Sequence, residues 1–324
     1  MIENSPRIGI VGATGAVGRV TLQLLLERGY GRIRTFASWR TAGTMLGEFE
    51  VEEASAVALG MGDLDICFFS VGAAASQVLV PAAAGAGALC VDKSSAFRLD
   101  DGVPLVVPEV NGERALENTG IVANPNCCAI PLSMVLAPIQ DAAGLRRVRV
   151  ATYQSASGGG SEAIEILRSE SSEEHQLRMD WEFDGVEFDE EVKLRDETRK
   201  ILELPDLPIS ATCVRVPVMV GHAEAVWLET VEPLSPRAAE QLLSEAPGVQ
   251  LERVPRPASA TGIDEVLVGR VRSDPTAESG LVLFLVCDNL RKGAALNAVQ
   301  IAELLIGATL PVYFGHRAES RQRR

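Results

Sequence analysis

A glycine-rich turn joins an apolar segment to a helical segment near the start of the chain. The run Arg7–Gly12 (RIGIVG) predicts a short buried strand, GATGAVG places glycines at 12, 15 and 18, and the next run predicts a helix ending near Gly29. Between a strand and a helix, glycines let the backbone approach a diphosphate, and the helix N-terminus offers free N–H groups. Gly12, Gly15 and Gly18 therefore predict nucleotide binding, with a purely structural tight turn as the alternative.

The strand-and-turn pattern repeats along the first part of the chain. Arg32–Ala37, Leu64–Gly72 and Ala88–Arg98 each read as an apolar strand followed by polar residues. Alternating strands and helices predict an α/β fold with a doubly wound parallel sheet. Because ligands bind outside the carboxyl edge of such a sheet, we expect Ser94, Ser95 and Arg98 to lie at a ligand crevice.

The end of the second strand indicates which nucleotide is bound. An NAD-binding chain usually carries an acid there for the ribose 2′-hydroxyl, whereas this sequence continues as SWRTAG. A guanidinium and two hydroxyls suit a 2′-phosphate, so Ser38, Arg40 and Thr41 predict NADP rather than NAD. The alternative is that Arg40 is an ordinary solvent-exposed arginine.

Composition narrows the class of protein. The 324 residues suggest two domains, and 44 acidic against 30 basic residues give a net charge of -14, which argues against nucleic acid and membrane surfaces as partners. Six cysteines without a CxxC pair and three histidines without HExxH predict no metal site. No signal peptide and no run of roughly 18 apolar residues is present, which predicts a cytoplasmic location.

The stretch ANPNCC raises the question of reactivity. We expect Asn126 to cap a helix that begins at Cys127, because the positive end of a helix favours a thiolate. Cys128 would be turned away by about 100° on a helix and is interpreted as a packing residue. From these residues alone, Cys127 could be a nucleophile or a small core residue.

Eight motifs, taken in order, resemble the aspartate-semialdehyde dehydrogenase family. They are GATGAVG, SWRTAG, SSAFR, ANPNC, TYQSASGGG, EEVK, RVPVMVGH and DNLRKGAALN, and they span nearly the whole chain. The resemblance implies NADPH-dependent reductive dephosphorylation of L-aspartyl 4-phosphate to L-aspartate 4-semialdehyde through a cysteine thioester. It places the reaction in the pathway to lysine, threonine and methionine.

The resemblance also implies roles for individual residues. Catalytic roles fall to Cys127 as nucleophile, His222 as acid/base and Gln154 as the residue that orients the substrate. Substrate contacts fall to Arg215 at the carboxylate, Glu190 at the amino group, and Arg98 with Lys193 at the phosphate. NADP contacts fall to the glycine-loop residues Thr14, Gly15, Ala16 and Val17 and to Arg40, Thr41, Ser157, Gly158 and Asn289.

Some features depart from the family pattern and leave the substrate open. Lys93 stands where the family often has Asn, Cys128 and Ala129 replace a usual pair of hydroxyl residues, and the region 161–189 is short and acidic. The alternatives are another acyl phosphate, such as the N-acetylglutamyl one, or an acyl thioester. A Cys/His hydrolase or a catalytically silent NADP-binding paralogue represents a different class.

The expected architecture is a Rossmann-type domain, residues 1–126 with 290–324, and an α+β catalytic and dimerisation domain, residues 127–289. A helix at about 290–310 would pack back on the nucleotide sheet, and an open sheet face predicts a homodimer. Arg215 and His222 are seven residues apart, so on one regular strand they would point to opposite faces. We therefore expect a break in the strand between Val216 and Gly221, with both side chains converging on the Cys127 pocket.

Overall fold

The repeating apolar strands of the first part of the chain form a seven-stranded sheet. The computed structural model describes residues 5–169 and 177–309. The strands are β1 (Ile8–Val11), β2 (Ile33–Ala37), β3 (Met45–Leu46), β4 (Phe49–Glu53), β5 (Ile66–Phe69), β6 (Leu89–Asp92) and β7 (Ile121–Ala123). Their order is β3-β4-β2-β1-β5-β6-β7, and all pairs are parallel except β3 with β4.

Helices cover both faces of this sheet. They are α1 (Ala16–Glu27), α2 (Ala56–Leu59), α3 (Ala73–Gly85), α4 (Pro108–Asn111) and a 3₁₀ turn (Gly112–Glu117). Successive strand residues point to opposite faces: Ile10 packs in the cluster that contains Leu24 of α1, and Val11 packs in the cluster that contains Val80 of α3. The predicted doubly wound Rossmann-type sheet is confirmed.

The second sheet has six strands and mixed direction. They are β8 (Leu145–Gln154), β9 (Ile209–Arg215), β10 (His222–Thr230), β11 (Val249–Leu251), β12 (Val266–Ser273) and β13 (Gly280–Cys287), in the order β11-β12-β13-β10-β8-β9. The accompanying helices are α5 (Ala129–Ala143), a 3₁₀ turn (Ala156–Gly159), α6 (Gly160–Arg168), α7 (Asp189–Leu202), α8 (Pro236–Glu245) and α9 (Pro257–Ala260).

One face of the second sheet is packed and the other is open. Leu136 of α5, Leu194 of α7 and Leu243 of α8 share a buried cluster with the inward-facing Val150 and Val226. On the opposite face the strands present Tyr153, Trp227 and Phe284, none of which is buried. This arrangement leaves a partly apolar surface in the single chain.

The predicted break between Arg215 and His222 is confirmed. β9 ends at Arg215 and β10 begins at His222. The two strands do not pair with each other, because β8 lies between them, parallel to β9 and antiparallel to β10. Gly221 has φ +101°, and a Cβ there would lie 2.9 Å from the carbonyl oxygen of Pro257. Only glycine tolerates that close approach.

The chain then returns to the first sheet. A π-helical turn (Arg291–Ala295) leads into α10 (Leu296–Thr309), and Val299 of α10 belongs to the same cluster as Leu24 of α1. Residues 310–324 lie outside the described residues. The division of the chain at residues 126 and 290 stays a prediction.

Candidate active site

A cleft of about 510 Å³ lies between the glycine loop and the end of the second sheet. It brings together the following predicted site residues: Thr14, Gly15, Ala16, Val17, Gly18, Arg98, Cys127, Gln154, Ser157, Gly158, Glu190, Lys193, Arg215 and Asn289. The predicted residues Gly12, Ser38, Arg40, Thr41 and His222 do not line the cleft. Gly12 and His222 nevertheless determine its shape, as described below.

Close backbone packing requires glycine at two positions of the glycine loop. Gly12 has φ +84°, and a Cβ there would lie 2.3 Å from the carbonyl oxygen of Ser70. A Cβ at Gly18 would lie 2.2 Å from the carbonyl oxygen of Gly12. These positions therefore exclude larger residues, and the loop leaves the N-terminus of α1 facing the cleft. Such a helix terminus offers N–H groups to an anion.

The segment after β2 borders the same loop. Thr41 Oγ1 lies 3.4 Å from Thr14 Oγ1, while Ser38 and Arg40 are exposed. The Arg40 guanidinium lies 5.6 Å from the centre of the Trp39 ring, and in the described part of the chain it forms no ion pair. Arg40 is thus a charged group without a carboxylate partner. It lies at the end of β2, where a Rossmann-type domain normally binds the nucleotide ribose.

Cys127 sits in a turn immediately before α5. The expected helix start at Cys127 is wrong, since α5 begins at Ala129. The N-cap residue of α5 is Cys128 and not Asn126, but Asn126 stabilises the turn before the helix, because its Oδ1 accepts a hydrogen bond of 2.8 Å from the Cys128 N–H. The Cys127 sulfur lies 3.1 Å from His222 Nε2. The neighbouring Cys128 thiol, followed by His222 and Arg215, holds the pKa of Cys127 well below its ordinary value.

The hydrogen bonds of His222 define its tautomer. The backbone N–H of Ser155 donates to Nδ1 over 3.0 Å. A backbone N–H can only donate, so Nδ1 is the acceptor and the proton of the neutral ring lies on Nε2, facing the Cys127 sulfur. Ser155 Oγ lies 3.1 Å from the same Nδ1, and it donates to Asn289 Oδ1 over 3.0 Å.

Cys128 does not have the separate environment that helical geometry predicted. It is fully buried, as expected of a packing residue. However, its sulfur, the Cys127 sulfur and a ring nitrogen of His222 lie within 4.8 Å of one another. The prediction failed because Cys127 and Cys128 lie in a turn, where the 100° rotation between helical neighbours does not apply.

Gln154 and Glu190 form one network beside the nucleophile. The Glu190 carboxylate accepts from Asn126 Nδ2 over 2.9 Å and from Gln154 Nε2 over 3.1 Å. Both residues are buried: Glu190 is 6% exposed and Gln154 is 1% exposed. Glu190 does not pair with Lys193 along the helix; Lys193 instead contacts Asp189 at 2.5 Å.

Arg215 is already engaged by a carboxylate of the chain itself. Its Nη2 lies 3.2 Å from Asp180 Oδ1, its Nη1 donates to the Ser155 carbonyl over 3.1 Å, and its guanidinium lies 4.7 Å from the Trp181 ring centre. The same segment bonds to β9 through Arg178, whose backbone pairs with that of Arg215. Asp180 is therefore positioned to compete with any acid that approaches Arg215.

Arg215 and His222 converge at Gly158. A Cβ at Gly158 would lie 2.9 Å from the His222 ring and 3.2 Å from Arg215 Nη1. The absence of a side chain thus lets both groups face the space beside Cys127. Asn289 stabilises the backbone next to Gly158 and His222, because its Nδ2 donates to Ser157 Oγ over 2.9 Å and its Oδ1 accepts from the Gly221 N–H over 2.9 Å.

Arg98 lines the cleft with structural partners on three of its donors. It donates to Glu197 at 2.8 Å, to the Asn124 carbonyl at 3.0 Å and to the Lys93 carbonyl at 2.6 Å. A guanidinium has five N–H donors, so two remain for a ligand. Burial raises the pKa of Glu197, against the opposing effect of Arg98.

Sequence reasoning missed several residues at this site. Lys93, a departure from the family pattern, lines the cleft; its Nζ lies 3.3 Å from Thr21 Oγ1, and burial lowers its pKa to about 7. Ser155 in TYQS holds His222 through its backbone N–H and its Oγ, and no sequence pattern distinguishes it from the neighbouring polar residues. Asp180 and Trp181 lie in an acidic stretch with no recognisable motif, so the sequence carried no signal for their contact with Arg215.

The prediction of a metal-free protein remains untested. Within residues 5–169 and 177–309, the one group of metal-ligating atoms close enough to share an ion is that of Cys127, Cys128 and His222. Over the same ranges, no helix has the length and apolar character needed to cross a bilayer. The predicted cytoplasmic location likewise stays a prediction.

The fold and cleft define a class: an oxidoreductase with a Rossmann-type nucleotide domain and a sheet domain that carries a Cys–His pair. The family model described as "Semialdehyde dehydrogenase, NAD binding domain" matches residues 7–118, and "Semialdehyde dehydrogenase, dimerisation domain" matches residues 136–183 and 179–292. The chain belongs to the aspartate-semialdehyde dehydrogenase family, which confirms the resemblance seen in its motifs.

Individual relatives support this assignment along the whole chain. Aspartate-semialdehyde dehydrogenase of Streptomyces akiyoshiensis is 44% identical over 92% of this chain and 98% of its own length. The aspartate-semialdehyde dehydrogenase of Aquifex aeolicus is 42% identical over 93% of this chain and 98% of its own length. The crystal structure of aspartate semialdehyde dehydrogenase II from Vibrio cholerae, complexed with ASA, has a TM-score of 0.88 and 38% identity, covering 96% of this chain and all of that one.

Proposed function

We propose that this chain catalyses the NADPH-dependent reductive dephosphorylation of L-aspartyl 4-phosphate to L-aspartate 4-semialdehyde, through a thioester on Cys127. The observation that carries the proposal is the 3.1 Å contact between the Cys127 sulfur and His222 Nε2 at the end of a nucleotide-type cleft. A thiol paired with a histidine is an activated nucleophile. Family membership supplies the substrate and the place in the synthesis of lysine, threonine and methionine.

The chain's own groups divide the reaction between them. The Cys127 thiolate attacks the acyl carbon, orthophosphate leaves, and a thioester remains. NADPH would supply the hydride that reduces this thioester. Collapse of the resulting oxyanion releases the aldehyde and restores the thiolate. The His222 Nε2–H faces the sulfur, so it stabilises the thiolate before attack and after release, and it is close enough to donate to the oxyanion.

Substrate recognition is proposed to use the buried charges around Cys127. Arg215 would bind the α-carboxylate through two parallel hydrogen bonds, and Glu190 would face the amino group while Gln154 orients the acyl carbon. Arg98 and Lys193 would hold the phosphate. The local cations explain how a chain with a net charge of -14 can bind a phosphorylated substrate.

The proposal is tested with a panel of semialdehydes in the oxidative direction. L-Aspartate 4-semialdehyde with NADP⁺ and orthophosphate is expected to give the highest kcat/KM, followed at the NADPH absorbance. N-Acetylglutamate semialdehyde tests the alternative acyl phosphate, and coenzyme A in place of phosphate tests the acyl thioester. Turnover of either alternative at the higher kcat/KM would refute the aspartyl assignment.

Replacing Arg40 by alanine tests the predicted choice of NADP over NAD. The variant is expected to raise the KM for NADPH by about tenfold or more, because a hydrogen bond to a charged group contributes about 1.5–3 kcal/mol. The KM for NADH should change little, and wild type should prefer NADPH. Arg32→Ala, an exposed arginine at the opposite end of β2, is the matched control. Equal use of both cofactors by wild type would contradict the prediction.

Replacing Asp180 by asparagine tests whether the chain's own carboxylate competes with substrate at Arg215. We expect the KM for the semialdehyde to fall by up to about fivefold with little change in kcat, since a partly exposed ion pair contributes about 0.2–1 kcal/mol. Glu182→Gln removes an exposed charge in the same segment and serves as control. A rise in KM would mean that Asp180 instead holds Arg215 in place for the substrate.

We also propose a homodimer that covers the open face of the second sheet. The matching dimerisation-domain family model and the partly apolar surface around Tyr153, Trp227 and Phe284 support it. Sedimentation of the full chain should give twice the mass of 34.5 kDa. Tyr153→Arg, which places a charge on this face, should shift the population towards monomer.

A further inference from the structure

A carboxyl group without a partner is buried directly behind the Cys–His pair. Glu224 follows His222 by two residues in β10, so both side chains point to the same face of the sheet. Glu224 is fully buried, and within the described ranges neither of its carboxyl oxygens has a hydrogen-bond partner. An apolar residue would fit this position without the cost of removing a carboxyl group from water. Packing alone therefore does not explain it.

The titratable groups that interact electrostatically with Glu224 are thiols. Thr152 and Leu285 lie opposite it on the neighbouring strands. The cysteines whose charge state is linked to Glu224 are Cys127 and Cys128 before α5, Cys213 on β9 and Cys287 on β13. Burial, with the Cys127 thiolate, raises the pKa of Glu224 well above its ordinary value, and the adjacent Cys128 thiol opposes this effect. Burial therefore favours the neutral form of this carboxyl.

Cys128 connects this carboxyl to the nucleophile. Its sulfur is within 4.8 Å of the Cys127 sulfur and of a His222 ring nitrogen. Cys128 also packs in the same buried cluster as Val226, whose side chain points to the same face of β10 as Glu224. Burial raises the pKa of Cys128 well above its ordinary value, so Cys128 keeps its proton where Cys127 loses one. A thiol S–H is a weak donor that becomes useful when the acceptor is a thiolate.

We propose that Glu224 and Cys128 form a buried pair that positions and stabilises the Cys127 thiolate. In this arrangement the neutral Glu224 carboxyl holds the Cys128 thiol, and Cys128 donates its S–H to the Cys127 sulfur from the side opposite the cleft. Neither residue lines the cleft, so both are positioning residues. The pair gives a reason for two adjacent cysteines at this point. It rests on the proposed function only in taking Cys127 as the nucleophile.

The proposal is tested by titrating Cys127 in the full-length enzyme without substrate. The rate of alkylation by iodoacetamide is measured from pH 5 to 9 by mass spectrometry of the peptide that contains Cys127. Glu224→Leu and Cys128→Ala should each move the midpoint upward by about one pH unit, which slows alkylation about tenfold at a pH below both midpoints. Cys128→Ser keeps a donor and should restore most of the lost rate relative to Cys128→Ala.

Further variants separate this arrangement from general repacking. Cys213→Ala removes another buried thiol near Glu224 that is not adjacent to Cys127, and it should leave the midpoint in place. The double variant Cys128→Ala/Glu224→Leu should shift the midpoint no further than Cys128→Ala alone, because the two groups act in series. Glu224→Gln should shift it less than Glu224→Leu, since the amide is also a neutral donor.

Specific outcomes would overturn the proposal. The proposal is wrong if Cys128→Ala and Glu224→Leu both keep the alkylation midpoint of the wild type. Additive shifts in the double variant would show that the two residues act independently. A lower midpoint in Glu224→Gln would show that Glu224 is ionised, and a shift in Cys213→Ala equal to that in Cys128→Ala would indicate repacking. Thermal melting confirms that each variant is folded. Because no substrate is present, a different preferred semialdehyde would refute the proposed function and leave this result standing.

Discussion

Replacing Cys127 by serine is expected to lower turnover by a factor on the order of 10⁴ or more, while NADPH still binds. The hydroxyl is not ionised near pH 7, so it gains nothing from the groups that lower the pKa of the thiol. Only one atom changes, and the cofactor end of the cleft, around Thr14 to Gly18, is untouched. Turnover is measured with the semialdehyde, and NADPH binding by fluorescence titration.

The matched control for this variant is Cys90→Ser. Cys90 is a buried thiol of the nucleotide sheet that faces the carbonyls of Val80 and Ala88, and a hydroxyl can donate to the same oxygens. It should keep nearly all activity. Residual turnover in Cys127→Ser close to that of Cys90→Ser would remove Cys127 as the nucleophile and with it the thioester route.

Local patterns were sufficient to predict most of the fold. The glycine turn and the strand-and-helix repeats depend on residues close together in sequence, and glycine at positions 12 and 18 is required by the backbone itself. The break between Arg215 and His222 followed from strand parity, because an odd spacing cannot place both on one face of an unbroken strand, whereas their convergence on Cys127 was implied by the family resemblance. The glycine positions and the strand break need only local geometry.

The electrostatic details of the site could not be predicted in this way. Glu224 lies between two alanines in a strand, a position that suggests an exposed charge, and it is buried because its face of β10 is covered in the fold. The contact between Asp180 and Arg215 joins residues 35 positions apart. The nearness of Cys128 to Cys127 depends on a two-residue delay in the start of α5. Such features are set by tertiary contacts that leave no period or motif in the sequence.

Replacing His222 by alanine should lower kcat by about 10²–10⁴-fold, the usual contribution of a positioned proton donor or acceptor. The effect on the semialdehyde KM should be small, because His222 Nε2 faces the sulfur, whereas the proposed carboxylate site is at Arg215. Loss of the Nε2–H also removes a stabilising contact from the thiolate, so alkylation of Cys127 below pH 7 should slow. Steady-state kinetics and iodoacetamide alkylation measure the two effects separately.

Ser155→Ala separates the orientation of His222 from its chemistry. The backbone N–H of residue 155 would still donate to Nδ1, while the Oγ contacts with His222 and Asn289 are lost. If the backbone bond sets the tautomer, this variant should lose far less activity than His222→Ala. An equal loss would mean that Ser155 Oγ controls the proton on the ring, and unchanged kcat in His222→Ala would exclude His222 from the reaction. In the expected case, the 3.0 Å bond to a main-chain donor, which no side-chain substitution can remove, keeps the catalytic proton on the nitrogen that faces Cys127.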